Sequence, residues 1–363
     1  MVDLGLALGV WSRRLVAAMR RYCPGEFSFS LLLMTDEWQR PQDSELFDEI
    51  HVLRRPVHTD WRRLYEPVGH LIWLRDALAR IRRDVVLTAG TYFNVLVPRV
   101  ARKDRVVISV HNPPSIELRR SRFGALISAV ARATYPRCEA LAVSTGVADD
   151  LRTNYHVRRC QVILHGIDVA DLARRASESA ADVPTRRPYV VACGRFTRQK
   201  DYPTLLRGFA WAVGEGLAED LVLIGYGEDE AMLRALAGSL GVAHRVHFVS
   251  YRANPLPYFA GARAMVHSSL FEGFGLVLLE AMALGVPCIA TACPGGPVEI
   301  LEGGRSGLLV RPGDPEAMGQ AILRLMASQE LRCELAREGR RRAAELSMER
   351  MAQGYRRLLL GLP

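Results

Sequence analysis

The sequence predicts an α/β protein with two doubly wound parallel-sheet domains, and three observations carry that prediction. Short apolar runs alternate along the chain with stretches whose apolar residues recur every three or four positions, the pattern of strand and helix in turn. The alternation is interrupted once, over residues 169–188 (VADLARRASESAADVPTRRP), which are small, polar and proline-tipped. About 165 residues precede that interruption and about 175 follow it, each enough for one such sheet.

Taken in order, the strands expected before the interruption are Phe29–Met34, Val85–Leu87, Val106–Val110, Ala140–Val143 and Gln161–Leu164. Those after it are Tyr189–Ala192, Leu221–Ile224, Val246–Val249, Ala264–His267, Cys288–Thr291 and Gly307–Val310. Leu71–Ile81, Tyr202–Val213 and Glu228–Leu240 show helical spacing. The longest apolar run, Gly275 to Cys293, carries Glu280 and a Gly285-Val286-Pro287 break, so it reads as helix, turn and buried strand instead of a membrane span. The expected divisions are a first domain over 1–168, a connection over 169–188, a second domain over 189–345, and a last segment 346–363. Its helix, about Met348 to Leu360, is expected to return towards the first domain.

Composition removes several classes. With 49% hydrophobic and 24% charged residues the 363-residue chain is globular, neither disordered nor fibrous. Seven cysteines without a C-x-x-C pair point to a reducing, cytoplasmic setting, and the acidic start Met1-Val2-Asp3-Leu4 is no secretory signal. The net charge of +9 is uneven: residues 1–165 hold 25 basic and 17 acidic groups, against 23 and 22 in the remainder. The first half therefore faces something acidic, which charge alone leaves open between nucleic acid, anionic lipid and a phosphorylated substrate. No basic recognition motif supports nucleic acid. Only Lys103 and Lys200 break a basic set that is otherwise arginine, which marks them for inspection.

The segment richest in chemistry runs from Ser268 to Pro287. A strand ends near His267, a loop punctuated by Gly273 and Gly275 follows, and a helix starts near Gly275. The backbone N–H groups of Gly273, Phe274, Gly275 and Leu276 would converge with a helix N-terminus, an arrangement that holds a phosphate or diphosphate without a metal. Glu272 sits beside this cradle. Glu280 lies about a turn and a half into the helix, where it is either an ordinary surface charge or a carboxylate aimed at a ribose; its almost wholly apolar surroundings favour the second. A second cluster, Gly194 to Pro203, sends Arg195 and Lys200 out of the C-terminal end of a strand, with Asp201 expected to cap the next helix and Pro203 in its first turn. The two cations suit a diphosphate, the arginine as a fork and the lysine as a point charge, unless the loop is simply a solvated basic turn.

These elements resemble the retaining glycosyltransferases of family 4, with the GT-B architecture of two Rossmann-like domains facing each other across a cleft. The resemblance covers Tyr189 to the C-terminus and rests on five features in order. They are Arg195 with Lys200, Gly225-Tyr226-Gly227, the Glu272-to-Glu280 segment, Gly295-Gly296-Pro297-Val298-Glu299-Ile300, and Gly307-Leu308-Leu309-Val310. By that resemblance Arg195 and Lys200 hold the nucleotide diphosphate, Glu280 the ribose and Glu272 the donor sugar. No cofactor or metal is implied. The donor is a UDP-, GDP- or ADP-linked sugar, and the acceptor a glycan or lipid-linked molecule in polysaccharide or glycolipid synthesis.

The first half resembles the family less closely. Ser144 stands in a serine-containing turn, and His165-Gly166-Ile167-Asp168 looks like an N-G-[VI]-D crossover with histidine replacing asparagine. His111-Asn112-Pro113-Pro114 follows a strand where the family places a histidine near the donor sugar, though a lone histidine is often structural. At the start, Gly9 aligns with the first glycine of a phosphate loop and Val10 takes the second place, so the first strand is expected to be missing or dispensable. If Trp11–Tyr22 is helical, it can lie on an anionic membrane surface on the cytoplasmic side or face the core behind a solvated arginine face. Arg54, Arg55, Trp61, Arg62, Arg63 and Tyr65 repeat the basic and aromatic mix. The rival readings are an inactive nucleotide-sugar-binding scaffold and a nucleotide-sugar epimerase; a dehydrogenase fits worse, because Gly225-Tyr226-Gly227 lacks a third glycine.

Overall fold

The computed structural model describes residues 2–5, 10–33, 45–52, 66–120, 123–178 and 183–362. It divides into two compact units, Met1–Leu164 with Met348–Pro363, and His165–Ser347.

In the first unit, β1 (Val2–Gly5), β2 (Ser30–Leu33) and β3 (Glu49–Val52) form one parallel sheet, and β4 (Val85–Ala89), β5 (Arg105–Val110), β6 (Glu139–Ala142) and β7 (Arg159–Val162) form another. β1 runs beside β4, giving the doubly wound succession 3-2-1-4-5-6-7. The expectation of a missing first strand is corrected: Val2–Gly5 pair in register with Ser30–Leu33. β3 also escaped the sequence reading, because its four residues, Glu-Ile-His-Val, are half-exposed or exposed and offer no apolar run. Gly9 lies outside the described residues, as do Arg54, Arg55, Trp61, Arg62, Arg63 and Tyr65.

The helix Val10–Tyr22 buries Leu15, Val16, Ala18 and Met19 completely, so its apolar face is used by the core and not offered to a membrane. Its partner is the last helix, Met348–Leu360, which places Met351, Ala352, Tyr355 and Leu358 in the same cluster. Trp11 Nε1 donates to the Tyr355 hydroxyl at 3.0 Å. Arg105 fixes the helix end, donating to the carbonyls of Leu358 and Leu359 at 2.6 and 2.8 Å while its guanidinium also meets Glu139. No described helix is long and apolar enough to cross a membrane.

The second unit has one six-stranded parallel sheet in the order β10-β9-β8-β11-β12-β13, made of β8 (Tyr189–Cys193), β9 (Asp220–Ile224), β10 (Val246–Val249), β11 (Ala264–His267), β12 (Cys288–Thr291) and β13 (Leu308–Val310). β9, β11 and β12 are buried at every position, which is why each reads as an apolar run with a single polar residue at one end, Asp220, His267 or Thr291. The chain order reverses between β8 and β11, and ligands of open parallel sheets bind at that reversal, beyond the carboxyl ends of the strands.

Two local expectations change. Residues 169–188, read as a connection, contain the helix Val169–Ala176, capped by Asp168 accepting from Asp171 N at 3.0 Å and packed against the helices Leu256–Ala260 and Leu276–Ala283. Leu172 is its one buried residue; the helical spacing of Val169, Leu172, Ala173 and Ala176 is present but carried almost wholly by small residues, in a stretch whose small, polar composition suggested a connection. Where the chain enters and leaves this unit, Ile167 and Ser347 form a parallel bridge, and Ile167 N donates to Leu346 O at 3.0 Å. Asp201 makes no side-chain cap. It adopts the left-handed region (φ 45°), and its carboxylate accepts from the Thr204 hydroxyl at 2.6 Å.

Candidate active site

The geometry of the second unit begins with backbone that approaches too closely for side chains. A Cβ on Gly225 would fall 2.0 Å from the Gly194 carbonyl oxygen, and one on Gly227 would fall 2.2 Å from that of Phe196. The loop after β8 is therefore pressed onto the loop after β9, and Phe196 N donates to Tyr226 O at 2.8 Å to fasten it. The same device holds the loop after β11. A Cβ on Gly295 would sit 1.5 Å from Glu272 O, and Glu272 N donates to Pro294 O at 3.0 Å. Gly275, at φ +106°, makes the turn into the helix Leu276–Ala283, a conformation that disfavours any residue with a Cβ. The first amides of that helix have no partner within the helix itself.

Onto this frame the structure brings Lys200 and Glu272 together. Lys200 Nζ donates to Glu272 Oε2 at 2.5 Å, the two side chains being 20% and 14% exposed. The loops are cross-tied around the pair: Ser268 Oγ donates to Lys200 O at 2.7 Å, Leu270 N to Gln199 O at 2.9 Å, and Gln199 Nε2 to Phe271 O at 3.1 Å. Two residues that the sequence reading passed over as strand end and loop complete the group. His267 Nε2 lies 3.2 Å from Glu272 Oε2, and Ser269 Oγ donates to the same oxygen at 3.2 Å. Ser269 is itself held by Thr291 Oγ1, which donates to its carbonyl at 2.5 Å.

Electrostatics fix the ionisation states. Burial alone would push Glu272 up, but the Lys200 ammonium and the His267 hydrogen bond outweigh it and hold the carboxyl well below the usual range, so it is ionised at neutral pH. Burial pushes His267 down despite the neighbouring carboxylate, keeping the imidazole neutral. Its Nδ1 is buried without a hydrogen-bond partner. A bare lone pair there costs less than a stranded N–H, which assigns the proton to Nε2, the nitrogen beside Glu272.

The other expected residues divide. Glu280 is buried (9% exposed) on the helix Leu276–Ala283, near enough to the Cys193 thiol at the end of β8 to add to the burial that pushes that thiol up to about 12. The surface-charge alternative for Glu280 is thereby set aside. Gly273, Phe274 and Gly275 are buried in the loop and Leu276 is half-buried at the helix start. His165 packs edge-on against Phe274, ring centroids 5.2 Å apart at 85°. Arg195 stands at the mouth of its loop with an exposed side chain, outside the Lys200–Glu272 group. Tyr226 and Tyr251, at the ends of β9 and β10, form an exposed edge-to-face pair 5.9 Å apart.

In the first unit, His111 follows β5. Ser109 Oγ and His111 Nε2 are 2.9 Å apart, the Trp11 ring meets the imidazole edge-on at 4.6 Å, and burial pushes His111 down to about 4. Among the described residues no group of three or more histidine, cysteine, aspartate or glutamate side chains has the proximity to hold a metal ion.

Residues 174–342 match the family described as Glycosyl transferases group 1, and residues 25–171 match Glycosyltransferase Family 4. The chain is 25% identical over 283 residues to the N-acetylgalactosamine-N,N'-diacetylbacillosaminyl-diphospho-undecaprenol 4-alpha-N-acetylgalactosaminyltransferase of Campylobacter jejuni, covering 76% of this chain and 75% of that one. It is 34% identical over 183 residues to the lipopolysaccharide core biosynthesis glycosyltransferase LpsE of Rhizobium meliloti, about half of each (50% and 52%). Among solved structures, the sucrose-phosphate synthase of Thermosynechococcus elongatus superimposes with a TM-score of 0.80 at 20% identity, and HepE of Anabaena in complex with UDP with 0.79 at 18%, each over 99% of both chains.

Proposed function

We propose that this chain, a glycosyltransferase of group 1 with the GT-B fold, moves a hexosyl group from a nucleotide diphosphate sugar to a glycan or lipid-linked acceptor, with retention at the anomeric carbon and without a metal. The observation that carries this reading is the Lys200–Glu272 pair, set at the sheet's order reversal beside the glycine-started helix. Breaking the anomeric bond leaves negative charge on the diphosphate. Lys200, Arg195 and the amides of Gly273 to Leu276 are the chain's own means of stabilising it. Binding the diphosphate would draw Lys200 towards phosphate and leave Glu272 to orient the donor sugar, while Glu280 takes the ribose hydroxyls. In front-side attack the acceptor oxygen forms the new bond on the face the phosphate leaves, and a phosphate oxygen receives the acceptor's proton. The neutral His111 would donate to or accept from a sugar hydroxyl without adding charge. The exposed Tyr226–Tyr251 pair supports placing the nucleobase at the ends of β9 and β10.

Relatives named for transfer to a diphospho-undecaprenol acceptor and for lipopolysaccharide core biosynthesis support cell-surface polysaccharide or glycolipid synthesis as the setting; the cytoplasmic side of the membrane is part of our reading. The decisive experiment supplies UDP-, GDP- and ADP-linked sugars with lipid-linked and free glycan acceptors, and reads the product's anomeric configuration by NMR with and without EDTA. Retention, undiminished by chelator, is the expected result. Inversion, or nucleotide binding with no turnover, would replace the reading with an inverting enzyme or a scaffold.

A further inference from the structure

Three donors converge on a single oxygen of Glu272. Lys200 Nζ, His267 Nε2 and Ser269 Oγ lie 2.5, 3.2 and 3.2 Å from Oε2, while Oε1 has no hydrogen-bond partner among the described residues. The side chain nevertheless retains 14% of its surface, so Oε1 is the oxygen left to meet a ligand. The three donors are not equivalent. Lys200 is a flexible ammonium that a diphosphate would compete for, whereas His267 and Ser269 sit in rigid surroundings. His267 is 4% exposed at the end of β11, and Ser269 is fully buried with its carbonyl gripped by Thr291. His267 and Ser269 are themselves within 3.3 Å of each other, which limits both rotamers.

We propose that His267 and Ser269 are positioning residues: they hold Glu272 by Oε2 so that Oε1 stays presented to a hydroxyl of the donor sugar when Lys200 turns to phosphate. This rests on Glu272 being the sugar-orienting carboxylate. The neutral, Nε2-protonated imidazole suits the task, because it donates to the carboxylate without adding a second cation beside the diphosphate.

The test uses the full-length chain, three substitutions and two readouts: transfer kinetics with the nucleotide sugar the wild type accepts, and the affinity for the matching free nucleoside diphosphate. Glu272→Ala comes first. Loss of transfer with nucleotide affinity retained supports the parent reading, and full transfer overturns that reading on its own. His267→Leu is then expected to lower kcat about tenfold, to leave nucleoside diphosphate affinity within about twofold, and to move the acidic limb of the kcat profile to higher pH, because Glu272 has lost a donor. His267→Gln, whose amide N–H can reach the same oxygen, is expected to recover most of the rate and the original limb. If Glu272→Ala is impaired while His267→Leu keeps the wild-type rate and pH profile, the positioning role is wrong. It is equally overturned if His267→Leu and His267→Gln lose transfer and nucleotide binding together with thermal stability.

Discussion

The two units use the carboxyl ends of their strands differently. In the second, ionised groups are held by hydrogen bonds and close backbone contacts: Lys200 and Glu272 share a 2.5 Å pair, and glycines 225, 227 and 295 admit no side chain. In the first, the candidate group is a neutral imidazole held by the Ser109 hydroxyl at 2.9 Å and by packing, with Trp11 against it and Trp11 in turn hydrogen-bonded to Tyr355. Charge can stabilise a leaving group only where it is already oriented and partly desolvated, which the second arrangement achieves. A packed neutral ring can orient a substrate without disturbing that charge. Under the proposed function, the electrostatic work falls to Lys200 and Glu272 of the second unit, and His111 of the first is read as an orienting group.

The strongest challenge to this division is Lys200→Ala, expected to lower kcat/KM by about 10²–10³-fold, as loss of an oriented donor at a developing charge does. Lys200→Arg should restore only part, since a planar fork does not reproduce a point charge at 2.5 Å from Glu272. If His111→Asn costs as much in kcat as Lys200→Ala, the orientation-only role of the first unit fails. Next in size is Gly275→Ala. Its φ of +106° makes a Cβ unfavourable by about 1–2 kcal/mol, and the distortion should weaken nucleoside diphosphate binding by about tenfold, measured by titration calorimetry.

Acid stability separates the units as well. His111 has a folded pKa near 4, below its ordinary 6.5, so the unfolded chain binds the proton first and stability falls as pH drops from about 6.5 towards 4. Glu272 is lowered from the ordinary glutamate value, so its contribution is complete at neutral pH and is lost only as pH falls below about 4.5. Urea unfolding across pH should therefore show His111→Asn flattening the upper window and Glu272→Gln only the lower. The smallest effect expected is for Tyr251→Ala, about a threefold loss in nucleoside diphosphate affinity, matching one exposed aromatic contact.

Much of the second unit was legible because its physics is local. Buried parallel strands carry near-continuous apolar runs, such as Leu221–Ile224, and the close backbone approaches need glycines at fixed positions. What escaped depends on partners distant in sequence. His267 gains meaning only from Glu272 and Lys200, and nothing in Ala264–His267 except a polar residue ending an apolar strand could have flagged it. The helix Val169–Ala176 buries one leucine among valine and alanine, and β3 alternates over only four residues, Glu-Ile-His-Val, too few to stand out as elements. The first unit's helix Val10–Tyr22 left two readings open, and burial of Leu15 to Met19 resolved them in favour of the core.

The last helix carries a consequence for biosynthesis. Because Tyr355 and Leu358 complete the hydrophobic cluster around Val10–Tyr22, a ribosome has to deliver Met348–Leu360 before the helix Val10–Tyr22, made much earlier, can finish packing. The intervening unit, by contrast, is contiguous and free to form as it emerges. A fragment ending at Leu164 should consequently be recovered as an aggregate unless a peptide spanning 348–363 is co-expressed to dock in trans.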